Sequence, residues 1–156
     1  MQFRHRPAVA LISLLFAVAS LSASAQDDPG KILVYVESTC DRDTVGQRLA
    51  YQTKEQIRRS SQLAVTDNYT SSSLQFKMVC LDPPEGQAGV VSSYSYVITA
   101  LNTGGHFDFL ISSIVASCGA NRVSHCAESH LADIDQAVTS VRKRIADGTF
   151  QYKASE

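Results

Sequence analysis

Residues 74–80, Leu-Gln-Phe-Lys-Met-Val-Cys, carry the clearest period-two pattern in the chain. Every second residue from Leu74 to Cys80 is apolar, and the intervening positions include Gln75 and Lys77. Such alternation is typical of a β-strand that buries one face and exposes the other to solvent. This stretch therefore predicts a strand in a sheet with one wet face.

Other segments predict the remaining elements. Apolar and β-branched residues or alternation predict strands over 31–39, 63–66, 90–101 and 107–115. A capping-box pattern from Thr44 to Gln47 predicts a helix that runs to about Ser60. Apolar residues at three- and four-residue spacing predict a second helix over about 125–147, and Gly148 supplies its stop.

This order, β-α-β-β-β-β-α, predicts a single α+β domain. We expect a mainly antiparallel sheet of about five strands with two helices on one face. The domain is expected to span residues 31–150, after a mobile leader at 26–30 and before a C-terminal tail at 151–156.

The N-terminus resembles a secretory signal. Two arginines precede an apolar run at 8–21, and residues 23–25 give the small-x-small pattern of signal peptidase sites. The run of about 14 residues is too short to span a bilayer, which needs roughly 20. We therefore expect residues 1–25 to be cleaved, with no membrane insertion afterwards and with the mature chain in the periplasm or secreted.

The composition of the remaining chain excludes some functions. Removing the signal leaves 131 of the 156 residues, with 12 of the 14 Lys and Arg against all 15 Asp and Glu. These charges are interspersed, and the longest basic run is residues 142–144. The chain lacks the basic footprint of a nucleic-acid-binding protein. It also has no tryptophan, which argues against a carbohydrate-stacking surface.

A family resemblance rests on the opening strand, the capped helix and two later segments. These segments are SSQLAVTDN at 60–68 and SSLQFKMVCL at 72–81. Over about residues 31–101, this order resembles the periplasmic α/β domain of the TolB amino-terminal type, which is shared with penicillin-binding-protein activators and curli-secretion-like proteins. The resemblance implies a docking or accessory module without catalysis, and it brings no site residues.

The segment CGANRVSHC, residues 118–126, concentrates ligand-type side chains. With His130 it offers two cysteines and two histidines within 13 residues, but the spacing does not match the paired knuckles of zinc sites. A redox site would need C-x-x-C, which neither cysteine pair provides. We therefore expect no metal and no cofactor.

The four cysteines instead predict two disulfides, because an even count behind a secretory signal is typical of an oxidising compartment. Three connectivities are possible. A bond between Cys118 and Cys126 is favoured, since the loop is local and Gly119 permits a tight turn. The remaining pair is then Cys40 with Cys80.

Two features suggest recognition. Tyr94 and Tyr96 share one face of a serine-rich strand, a combination found in binding surfaces; alternatively, they line the core with their hydroxyls at its rim. Asn121 and Arg122 lie inside the disulfide-closed loop, where preorganisation lowers the cost of binding; alternatively, Arg122 only faces solvent.

These features favour a non-enzymatic module that binds another protein of the cell envelope, in a narrower version an inhibitor or immunity protein. Two other classes stay open. One is a small periplasmic hydrolase that uses His106, which lies between Gly105 and the Phe107-Asp108 pair. The other is a carrier of a small ligand.

Overall fold

The computed structural model describes residues 30–81, 86, 88–101 and 108–149. Within them the chain forms five strands and two α-helices in the predicted order. The elements are β1 (Ile32–Thr39), α1 (Thr44–Arg59), β2 (Leu63–Thr66), the 3-10 turn Tyr69–Ser71, β3 (Leu74–Leu81), β4 (Val91–Leu101), β5 (Asp108–Gly119) and α2 (Val123–Ala146). The α+β class, the single domain and the two disulfides are confirmed.

The strands form one sheet in the order β2-β1-β3-β4-β5. The pairings β3-β4 and β4-β5 are antiparallel and long, whereas β1 pairs in parallel with both β2 and β3. The sheet is therefore mixed. The order of elements along the chain does not by itself predict the two parallel pairings of β1. Helix α1 provides the crossover that parallel pairing of β1 with β2 requires.

The second parallel connection is short because the strands are offset. Thr66 ends β2 opposite Tyr35, and Leu74 begins β3 opposite the adjacent residue Val34. Residues 67–73 are therefore enough to carry the chain from one side of β1 to the other. Tyr69 in this connection packs edge-on against the Tyr35 ring, with 5.7 Å between ring centroids.

The core lies between the sheet and the two helices, which pack side by side on the same face. Alternate strand residues point into it, as the period-two patterns predict, and each helix contributes its apolar stripe. Its most fully buried members include Val34, Leu49, Ile57, Leu63, Leu74, Phe76, Met78, Ile98 and Ile134.

Helix α1 begins one residue earlier than the capping box implied. Asp43 is the N-cap, and its Oδ1 accepts a 2.9 Å hydrogen bond from the amide of Gly46. Gln47 reaches back, but its Nε2 donates to the Asp41 carbonyl. A Cβ at Gly46 would lie 2.4 Å from Cys80 Sγ, so only glycine lets this first turn pack against the disulfide.

Strand β5 is longer than predicted and continues past Val115 to Gly119, which places Cys118 inside the sheet opposite Ser92. Cys118 bonds to Cys126 in the first turn of α2, with 6.3 Å between the Cα atoms. Cys40 bonds to Cys80, with a Cα separation of 4.8 Å. Both predicted pairings are confirmed.

The predicted signal (1–25), most of the leader and the C-terminal tail (151–156) lie outside the described residues. Their boundaries therefore stay predictions. In the part of the chain that the structure describes, no helix is both long and apolar enough to cross a bilayer.

Candidate functional site

The loop between β5 and α2 is held at both ends and across its middle. The Cys118–Cys126 disulfide closes it, the Arg122 amide donates to the Gly119 carbonyl at 2.9 Å, and the Cys126 amide donates to the Arg122 carbonyl at 2.9 Å. Because Arg122 is the N-cap residue of α2, the loop passes directly into a helix. Its backbone is therefore fixed by covalent and hydrogen-bonded constraints together.

Asn121 and Arg122 are both exposed, as the loop hypothesis requires. Asn121 folds back over the turn, so that a Cβ at Gly119 would lie 3.1 Å from its Oδ1. The Arg122 side chain does not cap the helix, and it forms no ion pair within residues 30–81, 88–101 and 109–149. The loop thus presents an arginine on a rigid backbone.

A groove of about 370 Å³ lies beside this loop, between the N-terminal halves of the two helices. Val123 and Ser124 line one side, and α1 lines the other with Gln47, Arg48, Tyr51 and Gln52. Arg48 is exposed, and Tyr51 is 60% exposed. Sequence reasoning missed Arg48 and Tyr51 as site residues. No signal in the sequence identifies them, because on the sequence of α1 they lie on an ordinary solvated face of an amphipathic helix.

Tyr94 and Tyr96 do not form a binding surface, so that prediction is wrong. Both are buried, at 4% and 3% exposure, on the sheet face that the helices cover. The Tyr96 ring stacks on Phe76 and lies 4.7 Å from the His130 ring. Their hydroxyls bind groups on α2, and Ser93 and Ser95, the two neighbours of Tyr94 along the strand, lie on the other face. The alternative, that the tyrosines line the core, is correct.

His130 is the centre of a buried polar network that joins three elements. It is 1% exposed; its Nδ1 lies 2.9 Å from Thr53 Oγ1 on α1, and its Nε2 lies 3.1 Å from Tyr94 Oη on β4. The Thr53 hydroxyl donates to the Leu49 carbonyl, so it accepts from His130 Nδ1–H. Nε2 is then the acceptor for the Tyr94 hydroxyl. Every donor has an acceptor with the imidazole neutral.

Burial sets the protonation of this network. Desolvation lowers the pKa of His130 to about 4, although the nearby Asp133 carboxylate opposes the shift. Burial also raises the pKa of Tyr94 and of Tyr96, and the hydrogen bond that Tyr96 donates to Asp133 adds to the latter shift. His130 therefore stays neutral at neutral pH, and the network is a structural link between α1, α2 and the sheet.

The low pKa of His130 predicts a specific loss of stability in mild acid. An unfolded histidine binds its proton near pH 6.5, whereas folded His130 does so near 4, so the contribution is complete above pH 6.5 and is lost as the pH falls toward 4. The gap corresponds to about 3 kcal/mol of unfolding free energy. Urea denaturation from pH 4 to pH 8 measures it.

The matched variant for this prediction is His130→Gln, which removes the titrating group but leaves every carboxylate in place. Its unfolding free energy should depend less on pH between 6.5 and 4 than that of the parent protein. A proton NMR titration of the parent should place the His130 transition near pH 4. A transition near 6.5 would contradict the prediction.

Metal ligation by the cysteines and histidines of residues 118–130 is not possible in this geometry. Cys118 and Cys126 are bonded to each other, His130 is in the core, and His125 is exposed with its Nδ1 3.7 Å from Glu128. Among the described residues, no group of three or more His, Cys, Asp or Glu side chains could hold a metal ion.

The two alternative functions concern other parts of the chain. His106 lies at 102–107, outside the described residues, so the hydrolase hypothesis stays a prediction. For a small ligand, an apolar groove of about 220 Å³ lies between β1, β3 and the end of α2. That volume is below the range of about 300–1,000 Å³ of most ligand pockets. A thermal-shift screen of envelope metabolites tests the small-ligand hypothesis.

Comparisons with known proteins identify no family. No family model matches this chain, and no curated protein matches it. Among solved structures, the chain is similar to the hypothetical protein CT253 from Chlamydia trachomatis, at 10% identity and a TM-score of 0.36. The match covers 57% of this chain and 72% of that one.

Proposed function

We propose that this protein is a non-enzymatic binding module of the bacterial cell envelope, exported to the periplasm, which uses the disulfide-closed loop to dock on another protein. The predicted signal and the two disulfides support an oxidising compartment. The resemblance to the TolB amino-terminal type supports an accessory role.

One observation carries the proposal. Arg122 lies exposed on a loop that the disulfide and two backbone hydrogen bonds hold, and the two residues that follow it line a groove with Arg48 and Tyr51. Arginine and tyrosine are the residue types that dominate binding hot spots. Because the loop is preorganised, little conformational entropy is lost on docking.

The charge of this surface favours an acidic partner. Neither Arg48 nor Arg122 forms an ion pair within the described residues, so both guanidinium groups are available for carboxylates of a partner. In the narrower version of the proposal, the partner is a wall-active enzyme and the loop occupies its cleft. Glycoside hydrolases place a pair of carboxylates in such clefts.

We expect Arg122→Ala to weaken binding to the captured partner by about tenfold or more, since a hot-spot arginine contributes about 2 kcal/mol or more and a tenfold change in Kd corresponds to about 1.4 kcal/mol. The partner is captured from periplasmic extract with the tagged protein, and its Kd is then measured by calorimetry. The matched control is Arg59→Ala. Arg59 is an exposed arginine in the last turn of α1, at the end of the helix away from the groove, so this variant should change Kd by less than about twofold.

The inhibitor version has a separate readout. The parent protein should reduce the muramidase activity of an envelope extract, and Arg122→Ala should restore that activity. Equal Kd values for the parent and Arg122→Ala would remove the loop from the proposal. Turnover of an esterase, amidase or muramidase substrate by the purified protein, lost in His106→Ala, would replace the binding function with the hydrolase.

A further inference from the structure

Within the described part of the chain, strand β5 forms a long, unpaired edge of the sheet. It is the terminal strand of the sheet and has 12 residues, whereas the opposite edge strand, β2, has four. Residues 109–119 contain neither a charged residue nor a proline. Natural proteins usually shield such an edge with lysine, proline or a covering element, and no described strand pairs with the outer side of β5.

The hydrogen-bond pattern shows which groups this edge offers. The Ala120 amide donates to the Val90 carbonyl at 2.8 Å, in line with the register that pairs Gly119 with Val91. Hydrogen-bonded and non-hydrogen-bonded pairs alternate along an antiparallel ladder, so the even-numbered residues from 112 to 118 bond to β4. The odd-numbered residues Ser113, Val115 and Ser117 direct their N–H and C=O groups to the outside.

We propose that β5 pairs with β5 of a second copy of this chain, antiparallel, about a two-fold axis at Val115. Val115 then faces its own copy, and Ser113 faces Ser117 on either side of it. All three residues present outward N–H and C=O groups, so each pair exchanges two main-chain hydrogen bonds. The result is a continuous ten-stranded sheet.

In this register, the side chains of β5 are complementary to those of β5 in the second copy. On the open face, Val115 is 82% exposed, the highest value among the large hydrophobic residues of the described chain, and the pairing buries it against its copy between the small serine pairs. On the helix side, Ile114 lies opposite Ala116, which joins a large residue to a small one. An uncharged strand has no repulsion to overcome when it meets itself.

The proposed pairing of two copies goes beyond the docking function and does not depend on it. A two-fold axis perpendicular to the sheet keeps the helices of both copies on one face. Gly119, where the Arg122 loop begins, lies four residues from the axis on each copy. At about 3.3 Å per residue, the two loops begin about 26 Å apart along the strands, so the pairing leaves both free.

The test is the oligomeric state of the purified, disulfide-bonded protein by sedimentation over a concentration series. We expect a dimer that dissociates on dilution. Val115→Lys should weaken self-association by about tenfold or more, because two ammonium groups then face each other directly across the axis. The residue is exposed, so the variant should keep the melting temperature of the parent within a few degrees.

Val79→Lys is the matched control. Val79 is on the same open face and 50% exposed, but it lies on the internal strand β3, so edge pairing should tolerate lysine there. Val115→Cys should likewise form an intermolecular disulfide on mild oxidation, and Val79→Cys should not. A parent protein that is monomeric throughout the series overturns the proposal. Equal loss of the dimer in Val79→Lys also overturns it, because it would indicate stacking of sheet faces.

Discussion

The His130→Ala protein is expected to unfold with a free energy about 4 kcal/mol below that of the parent. The imidazole is 1% exposed and packs against Phe76, Tyr94 and Tyr96. Alanine leaves a cavity of nearly a full ring, and it removes the hydrogen-bond partner of both the Tyr94 hydroxyl and Thr53. Chemical denaturation at pH 7 measures the loss.

His125→Ala is the control, because it removes the same side chain from the same helix at an exposed position. The His125 side chain is 64% exposed, and its contact with Glu128 is at 3.7 Å; the expected change is below about 0.5 kcal/mol. A loss of less than about 1 kcal/mol in His130→Ala, or equal losses in the two variants, would show that the network contributes little to stability.

The second large effect is expected from the Cys40–Cys80 disulfide. Replacing both cysteines with alanine should lower the unfolding free energy by about 4 kcal/mol, because the bond closes a long loop in the unfolded chain. The loop contains α1 and β2, so the bond restricts a large part of the described chain. Denaturation of the double variant and of the parent under non-reducing conditions measures the difference.

The comparison variant replaces Cys118 and Cys126 in the same way. Their separation is 8 residues rather than 40, and the chain-entropy relation gives about 2.5 kcal/mol for the shorter loop. We therefore expect the Cys40–Cys80 variant to be the less stable of the two. The reverse order would show that loop length does not decide the contribution of these bonds, and that local packing does.

The order of elements and the composition of the core could be predicted because they depend on local periodicity. Strand β3 and helix α2 have apolar residues at the intervals that their geometry buries, so the pattern alone assigns type and face. The disulfide pairing followed from a similar local argument, the short span from Cys118 to Cys126. The element types and the disulfide pairing both follow from local sequence, so neither prediction depends on which elements lie next to each other in the fold.

What could not be predicted depends on which elements meet. Tyr94 and Tyr96 alternate with serine, a pattern equally consistent with a core and with a binding surface. Their burial depends on His130 and Asp133, which reach them only when α2 packs on β4. The parallel pairing of β1 likewise depends on where α1 returns the chain.

The residues of the candidate site differ in the same respect: some can be identified from local sequence, and others depend on which elements pack together. Asn121 and Arg122 could be identified from sequence because two cysteines enclose them. Arg48 and Tyr51 could not, since they join the site only through the side-by-side packing of α1 and α2. On the sequence of α1 they are ordinary residues of a solvated helix face.

The two disulfides join cysteines that follow one another along the chain, first Cys40 with Cys80 and then Cys118 with Cys126. In a polypeptide that crosses a membrane from its N-terminus, both cysteines of the first pair therefore emerge before either cysteine of the second pair. A thiol oxidase that acts on cysteines in their order of emergence produces the native bonds directly. If the protein is exported as proposed, we therefore expect its maturation to need no disulfide isomerase, since no mispaired bond has to be exchanged.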